Sequence, residues 1–148
     1  MSSLSSLYPA LVIQHDREPH NAGPVEGATH RAQSHNPLCG DRVTVTLRVE
    51  GDRVLALGCE ARGCALCRAS GSLMTLVLQG LEDAAALGLC REWLETLGCR
   101  GVASVSDPAL EPLAPLLAVV DFPSRIGCVC LPWEGFRLAL EGAETAAV

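Results

Sequence analysis

Three cysteines and one aspartate, spread over most of the chain, constrain this sequence more than any other feature. They are Cys39 and Asp41 in an Asn-Pro-Leu-Cys-Gly-Asp segment, Cys64 after a glycine, and Cys128 shortly after a proline. Each follows a turn or the end of an apolar run, so folding can bring all four to one rim. Three thiolates and a carboxylate suit a tetrahedral zinc ion or an iron–sulfur centre, whereas calcium and magnesium prefer oxygen ligands. Because the residues are far apart in sequence, such a site forms only when the whole domain has folded.

The composition predicts one globular domain that does not depend on disulfide bonds. The chain has 148 residues, of which 49% are hydrophobic, and this is enough to bury a core. The first residues do not have the pattern of a signal peptide, so we expect a cytoplasmic, reducing compartment. In that setting the eight cysteines favour metal binding or thiol chemistry over a disulfide framework.

The charge balance argues against two classes of partner. The formal net charge is −6, whereas surfaces that bind nucleic acid carry basic patches. No apolar run approaches the ~20 residues that are needed to span a bilayer. We therefore expect neither nucleic acid nor a membrane as a partner.

Hydrophobic periodicity predicts an α+β fold in which helices pack on one face of a small antiparallel sheet. Alternation over Arg42–Glu50, a turn at Gly51 and Asp52, and a second apolar run over 53–59 predict a hairpin. Residues 20–36 are typical of a loop. Helices are predicted at about 6–18, 65–79, 82–97, 107–120 and 128–141, and Pro132 makes the start of the last helix ambiguous. The alanine-rich tail, about 143–148, is predicted to be disordered.

A second function is open at Cys64, because Cys64 and Cys67 form a Cys-x-x-Cys pair at a strand-to-helix junction. This spacing is typical of thiol redox proteins of the thioredoxin type. A thioredoxin fold needs a parallel βαβ unit, however, and the clear strands here are antiparallel. A position at the start of a helix lowers the pKa of a thiol, which favours metal binding and sulfur chemistry as well.

The remaining cysteines and the histidines are weaker candidates for a site. Adjacent-but-one residues do not share a helix face, so Cys130 is not expected to join Cys128 at one mononuclear metal. Among the four histidines, only His35 is near enough to the cysteine rim to compete as a ligand. The remaining cysteines are expected to be small buried hydrophobic residues; they are Cys59, Cys90 and Cys99.

These motifs resemble the SufU-type branch of the IscU/NifU N-terminal family of iron–sulfur cluster assembly proteins. The resemblance extends over nearly the whole chain. It rests on Asn36-Pro37-Leu38-Cys39-Gly40-Asp41, on Gly63-Cys64 with Ala69-Ser70, and on Phe122-Pro123-Ser124-Arg125-Ile126 with Cys128. The interval of 63 residues between the second and third cysteines is similar to that branch, which carries an insertion there.

The resemblance implies a single IscU/SufU-like domain over residues 1–148, with a third strand at about 23–34. It implies zinc bound by Cys39, Asp41, Cys64 and Cys128. It also implies that Cys39 accepts sulfur from a cysteine desulfurase of the SufS type, and that Arg125 assists the partner or the thiolates. The protein is then a sulfur acceptor in the manner of a zinc-dependent sulfurtransferase, not a turnover enzyme. The alternative is a scaffold that holds a transient iron–sulfur cluster at the same residues and meets other cluster-assembly proteins.

The sequence departs from the family pattern at three positions. Gly127 stands where scaffold members have histidine and SufU-type members usually have lysine, so Asp41 is implied as the fourth ligand. Cys67 replaces a small or apolar residue, and Cys130 lies where a residue without a thiol is common.

Overall fold

The computed structural model describes residues 8–98, 107–142 and 145–147. Along the chain the elements are α1 (Ala10–Arg17), β1 (His30–His35), β2 (Arg42–Glu50), β3 (Arg53–Arg62), α2 (Ala65–Leu78), α3 (Asp83–Leu97), a 3-10 helix (Pro108–Asp121), α4 (Pro123–Leu140) and β4 (Thr145–Ala147). Helix α1 begins after Pro9, later than predicted, and the residues around the predicted start lie outside the described part. No helix within the described ranges is long and apolar enough to cross a membrane.

The four strands lie in the order β3-β2-β1-β4, and the first three are antiparallel. This confirms the predicted sheet, its hairpin and a third strand near 23–34, although residues 20–36 are otherwise a loop. Gly51 and Asp52 both have positive φ, 56° and 64°, which matches the twist of a two-residue hairpin turn. The predicted disorder of the tail is wrong for Thr145–Ala147, because these residues pair in parallel with β1. Backbone pairing along a free strand edge outweighs the low complexity of this segment.

All helices that contact the described sheet pack on one of its faces. Helix α4 packs on β1 and β2, and α2 packs on β3. Alternation directs Val43, Val45 and Leu47 toward these helices, where they are fully buried. The opposite face carries the alternate residues of the strands, such as Arg42 and Thr44 of β2, and is called the outer face below.

Helix α4 begins at Pro123, five residues before the predicted start near 128. Proline is well tolerated in a first turn, where the amide has no partner within the helix. Pro132 nevertheless lies inside the helix and is buried, so the break expected from its missing N–H does not occur. The earlier start places Arg125 and Cys128 on consecutive turns of one helix.

Side-chain donors from neighbouring elements hold α4 in place. Ser70 of α2 donates a hydrogen bond to the carbonyl of Val129 at 2.7 Å, and Ser34 of β1 donates to that of Leu131 at 3.0 Å. The indole of Trp133 donates in turn to the Ser70 hydroxyl at 3.0 Å. These buried bonds fix the first half of α4, and with it Cys128, relative to the sheet.

The segment before α4 is helical, as predicted, but it is a 3-10 helix. Asp107 caps it, because its carboxylate accepts a hydrogen bond from the amide of Ala109 at 2.9 Å. Pro112 and Pro115 lie inside the segment, and each removes an amide that an α-helix would need.

Candidate metal centre

Three strand ends bring the first two cysteine motifs together. His35 at the end of β1, Arg42 at the start of β2 and Arg62 at the end of β3 lie in one row across the sheet. The loop with Cys39 joins β1 to β2, and Cys64 lies two residues after the end of β3. Helix α4 packs on the inner face of β1 and β2 and brings Cys128 to this edge, beside Cys39 and Asp41.

The ligand atoms of Cys39, Asp41 and Cys128 all lie within 4.8 Å of one another. Around a tetrahedral zinc ion with Zn–S bonds of about 2.3 Å, neighbouring sulfur atoms are about 3.8 Å apart. Small side-chain rotations therefore suffice to close the site. Cys64 lies outside this group of converging ligand atoms, although its thiol interacts with that of Cys128, so the structure brings three of the four predicted metal ligands together.

Asn36 closes the loop that carries Cys39. Its amide donates to the carbonyl of Asp41 at 2.9 Å, its own carbonyl accepts from Gly40 at 2.8 Å, and its side-chain oxygen accepts from the Leu38 amide at 3.0 Å. Gly40 has a φ of 78°, a conformation that other residues rarely adopt. Cys39 is therefore exposed at the tip of a tied loop, next to a Leu38 side chain that is 95% exposed.

Asp41 lies in a cradle formed by Gly63. A β-carbon at Gly63 would be 2.6 Å from Oδ1 and 2.8 Å from Oδ2 of Asp41, so only glycine leaves room for this carboxylate. Asp41 is 5% exposed, and its Oδ2 has no hydrogen-bond partner among the described residues. Burying an unpartnered carboxylate oxygen is costly, and a cation beside it removes that cost. The donor set and this orphaned oxygen fit a bound zinc ion.

Cys64 is the N-cap of α2, and the pKa of its thiol is lowered. A hydrogen bond from the Cys128 thiol lowers the pKa of Cys64 to about 6, helped by the amides of Cys67 and Leu66, although burial and Asp41 act in the opposite direction. The same hydrogen bond raises the pKa of Cys128, and burial raises it further. The pair therefore loses its first proton readily, and a cation would favour loss of the second.

The other predicted residues lie around this centre. Arg125 lies one helical turn before Cys128, is half-buried, and forms no ion pair with any described residue. His35 is not among the residues whose ligand atoms converge, and its position on the sheet places it on the outer face. Cys130 is half-buried.

Cys67 is fully buried, and burial raises the pKa of its thiol. The strand that precedes Cys64, β3, pairs in the described sheet only with β2, and the pairing is antiparallel. The parallel βαβ unit that a thioredoxin fold needs is therefore not formed there, which disfavours the Cys64–Cys67 alternative. Cys59 and Cys90 are buried, as predicted, whereas Cys99 lies outside the described residues.

Two contacts of the centre were not foreseen from the sequence. In the sequence, the Gly63 cradle is visible only as a glycine before Cys64, which does not predict a contact with Asp41. At Gly127, a β-carbon would lie 2.7 Å from the side-chain nitrogen of Asn36, so the Asn36 amide packs where a side chain at 127 would begin. The departure at Gly127 thus accompanies a direct contact between the Cys39 loop and α4.

Known protein families and relatives of this chain agree with this architecture. Residues 7–128 match the model of the NifU-like N terminal domain. The iron–sulfur cluster assembly scaffold protein IscU of Streptococcus pyogenes serotype M1 is 33% identical over 149 residues, which covers 99% of this chain and 90% of that protein. The zinc-dependent sulfurtransferase SufU of Bacillus subtilis (strain 168) is 29% identical over 136 residues, or 92% of this chain and 90% of that protein.

Two solved structures share the fold. A SufU from Fervidobacterium islandicum AW-1 has a TM-score of 0.82 at 24% identity, covering 93% of this chain and 99% of that one. The N-terminal part of a NifU-like protein from Brucella abortus has a TM-score of 0.85 at 20% identity, covering 95% and 96%. The resemblance seen in the motifs is therefore confirmed over the length of the chain, which belongs to the NifU-like N-terminal domain family, the family of the IscU and SufU proteins.

Proposed function

We propose that this protein acts in iron–sulfur cluster assembly by accepting sulfur at Cys39 from a cysteine desulfurase of the SufS type. One observation carries the proposal: Cys39 is exposed at the tip of its loop, whereas Asp41 and Cys128 beside it are buried. A partner can therefore reach one thiol of the group while the others hold the site together. The name of the Bacillus subtilis relative, a zinc-dependent sulfurtransferase, supports the same activity.

The outer sulfur of a persulfide is transferred to Cys39 by thiol exchange. The Cys39 thiolate attacks the outer sulfur of a persulfide on the partner, and a new sulfur–sulfur bond forms on Cys39. The partner's sulfur–sulfur bond breaks, and its cysteine leaves as a thiolate that takes up a proton. No external oxidant or reductant is consumed. We infer that Arg125, which lies one turn before Cys128 on the same helix, attracts the anionic partner group.

Zinc fits the centre as a resident cofactor. Cys39, Asp41, Cys64 and Cys128 would hold it, and when bound it would keep the cysteines as thiolates at neutral pH. Asp41 is a harder ligand than the thiolates, so it is the natural one to yield when ligands exchange. The buried, unpartnered Oδ2 of Asp41 supports this assignment.

A second candidate function uses the same residues for a different cargo. Three thiols and one carboxylate can also hold an iron–sulfur cluster in transit, and the Streptococcus pyogenes relative is named as a scaffold. Metal analysis and absorption spectra of protein purified with and without air separate the two. Zinc in both preparations supports the sulfur acceptor, and a visible cluster only without air supports the scaffold.

The experiment mixes the full chain with a SufS-type desulfurase, pyridoxal phosphate and cysteine. Alanine formation should rise, and mass spectrometry should find one added sulfur atom on Cys39. Cys39→Ala should abolish both effects and leave the circular dichroism spectrum unchanged. Cys90→Ala is the control, because Cys90 belongs to α3 and lies outside the group of converging ligands. An unmodified Cys39 with an unchanged desulfurase rate would refute the proposal.

A further inference from the structure

The outer face of the sheet carries a row of basic residues next to the metal centre. His35, Arg42 and Arg62 are paired in register across β1, β2 and β3. Residues in one row point to the same side of a sheet, so these three side chains share the outer face. Arg42 and Arg62 are exposed, and His35 is half-buried.

The basic row lines one end of an open cavity of ≈ 520 Å³ on this face. Arg31 adds a further exposed cation two rows away, because it is paired with Thr46 along β1 and β2. Gln33 and Thr44 lie between, joined by a hydrogen bond of 3.3 Å. Glu60 is the single acidic residue that lines the described cavity. We call this surface, formed by Arg31, His35, Arg42 and Arg62, the basic face.

The charges of the basic face are not neutralised within the described part of the chain. Four other arginines form ion pairs with glutamate or aspartate; they are Arg48, Arg68, Arg91 and Arg137. Arg31, Arg42 and Arg62 form none there. The chain has 11 arginines and no lysine, and the formal net charge is −6. These unpaired arginines give one face of an acidic protein a local positive potential, which favours an anion as its ligand.

We propose that the basic face is the docking surface for an acidic polypeptide segment of a partner protein. The three-strand row spans about 10 Å, and Arg31 lies about 13 Å along the strand from His35. Charges spread over this area match several carboxylates in succession better than one compact anion. Each guanidinium can hold one carboxylate through two parallel hydrogen bonds.

The basic face also adjoins the metal centre. Arg42 directly follows Asp41, and Arg62 lies two residues before Cys64. A partner held on this face therefore lies beside the loop that presents Cys39. Binding of a partner on this face does not depend on whether Cys39 accepts sulfur.

The test uses hexaglutamate with a fluorescent label as the probe. Fluorescence anisotropy measures its binding to the full chain at about 0.05 M and about 0.5 M salt, since screening weakens exposed ion pairs. The charge-reversed protein carries Arg42→Glu and Arg62→Glu, and the control carries Arg17→Glu and Arg91→Glu, which change the charge equally on α1 and α3. Arg42→Lys with Arg62→Lys preserves charge and checks that the strands tolerate substitution.

We expect the parent to bind at low salt and to release the peptide at high salt. The charge-reversed protein should bind at least about tenfold more weakly, whereas the control should stay within about threefold of the parent. The lysine variant keeps the charge but loses the paired guanidinium hydrogen bonds, so its affinity should fall between the two. Absent binding by the parent, salt-independent binding, or equal loss in the control would overturn the proposal. Tripolyphosphate binding as tight as the peptide would also overturn it, in favour of a small-anion site. Zinc content and sulfur acceptance, measured on the same proteins, report separately on the proposed function.

Discussion

Replacing Gly63 with alanine tests whether the cradle around Asp41 builds the metal centre. The added β-carbon would lie 2.6 Å from Oδ1 and 2.8 Å from Oδ2, so the carboxylate must move away from its position beside Cys39 and Cys128. Gly63 does not have the positive φ that would itself strain an alanine. The effect of the substitution therefore reports on contact with Asp41 alone.

The magnitude follows from two opposing terms. Overpacking a buried site costs about 1–3 kcal/mol, while an alanine in place of glycine stabilises by about 0.4–1 kcal/mol through the unfolded chain. In metal-free protein, Gly63→Ala should thus lower the free energy of unfolding by about 1–2 kcal/mol. In an Asp41→Ala background the clash is gone, and the same change should be neutral or stabilising by about 0.5 kcal/mol.

Four proteins are compared: the parent, Gly63→Ala, Asp41→Ala and the double variant. Their stability is measured by urea denaturation with a chelator present, and their zinc affinity by titration against a competing chromophoric chelator. Gly63→Ala should weaken zinc binding about tenfold to a hundredfold when Asp41 is present, and have little effect when Asp41 is already alanine. Equal losses in both backgrounds would refute the reasoning, because the contact with the carboxylate would then not be the cause.

Three further changes test other parts of the centre. Cys64→Ser should lose the metal and lower the melting temperature, because metal binding is coupled to folding; full zinc content by elemental analysis would contradict the ligand assignment. Cys67→Ala should still accept sulfur, measured by mass spectrometry, because the Cys67 thiol is fully buried. A variant that no longer accepts sulfur would favour the redox alternative. Gly127→Ala should destabilise by about 1–3 kcal/mol in denaturation because it crowds Asn36. If the free energy of unfolding instead rises, by the ~1 kcal/mol usual for glycine to alanine in a helix, then Asn36 moves aside freely.

Local pattern in the sequence predicted most of the elements, and the motifs pointed to Cys39, Asp41 and Cys128, whose ligand atoms converge in the structure. Alternation along Arg42–Glu50 is a property of neighbouring residues, and so is the apolar stripe of α2 with Gly80 as its stop. The donor chemistry of three cysteines and one aspartate limited the kind of site before any distance was known. Their convergence could be expected, because each motif lies where a strand or helix begins or ends.

Contacts between distant segments decided the rest. Helix α4 continues through Pro132 because packing and the serine donors of α2 and β1 hold it, which no local propensity expresses. The tail forms β4 because a free edge of β1 is available to it.

The contacts of the centre and the basic face depend on tertiary structure in the same way. The Gly63 cradle joins residues that are separated by a whole hairpin, and the contact at Gly127 joins Asn36 to a helix far along the chain. The row of His35, Arg42 and Arg62 exists only through the register of three strands. Sequence determines which side chains are present and their local periodicity, but register and packing are collective, so the neighbours of each side chain are decided only when the whole domain folds.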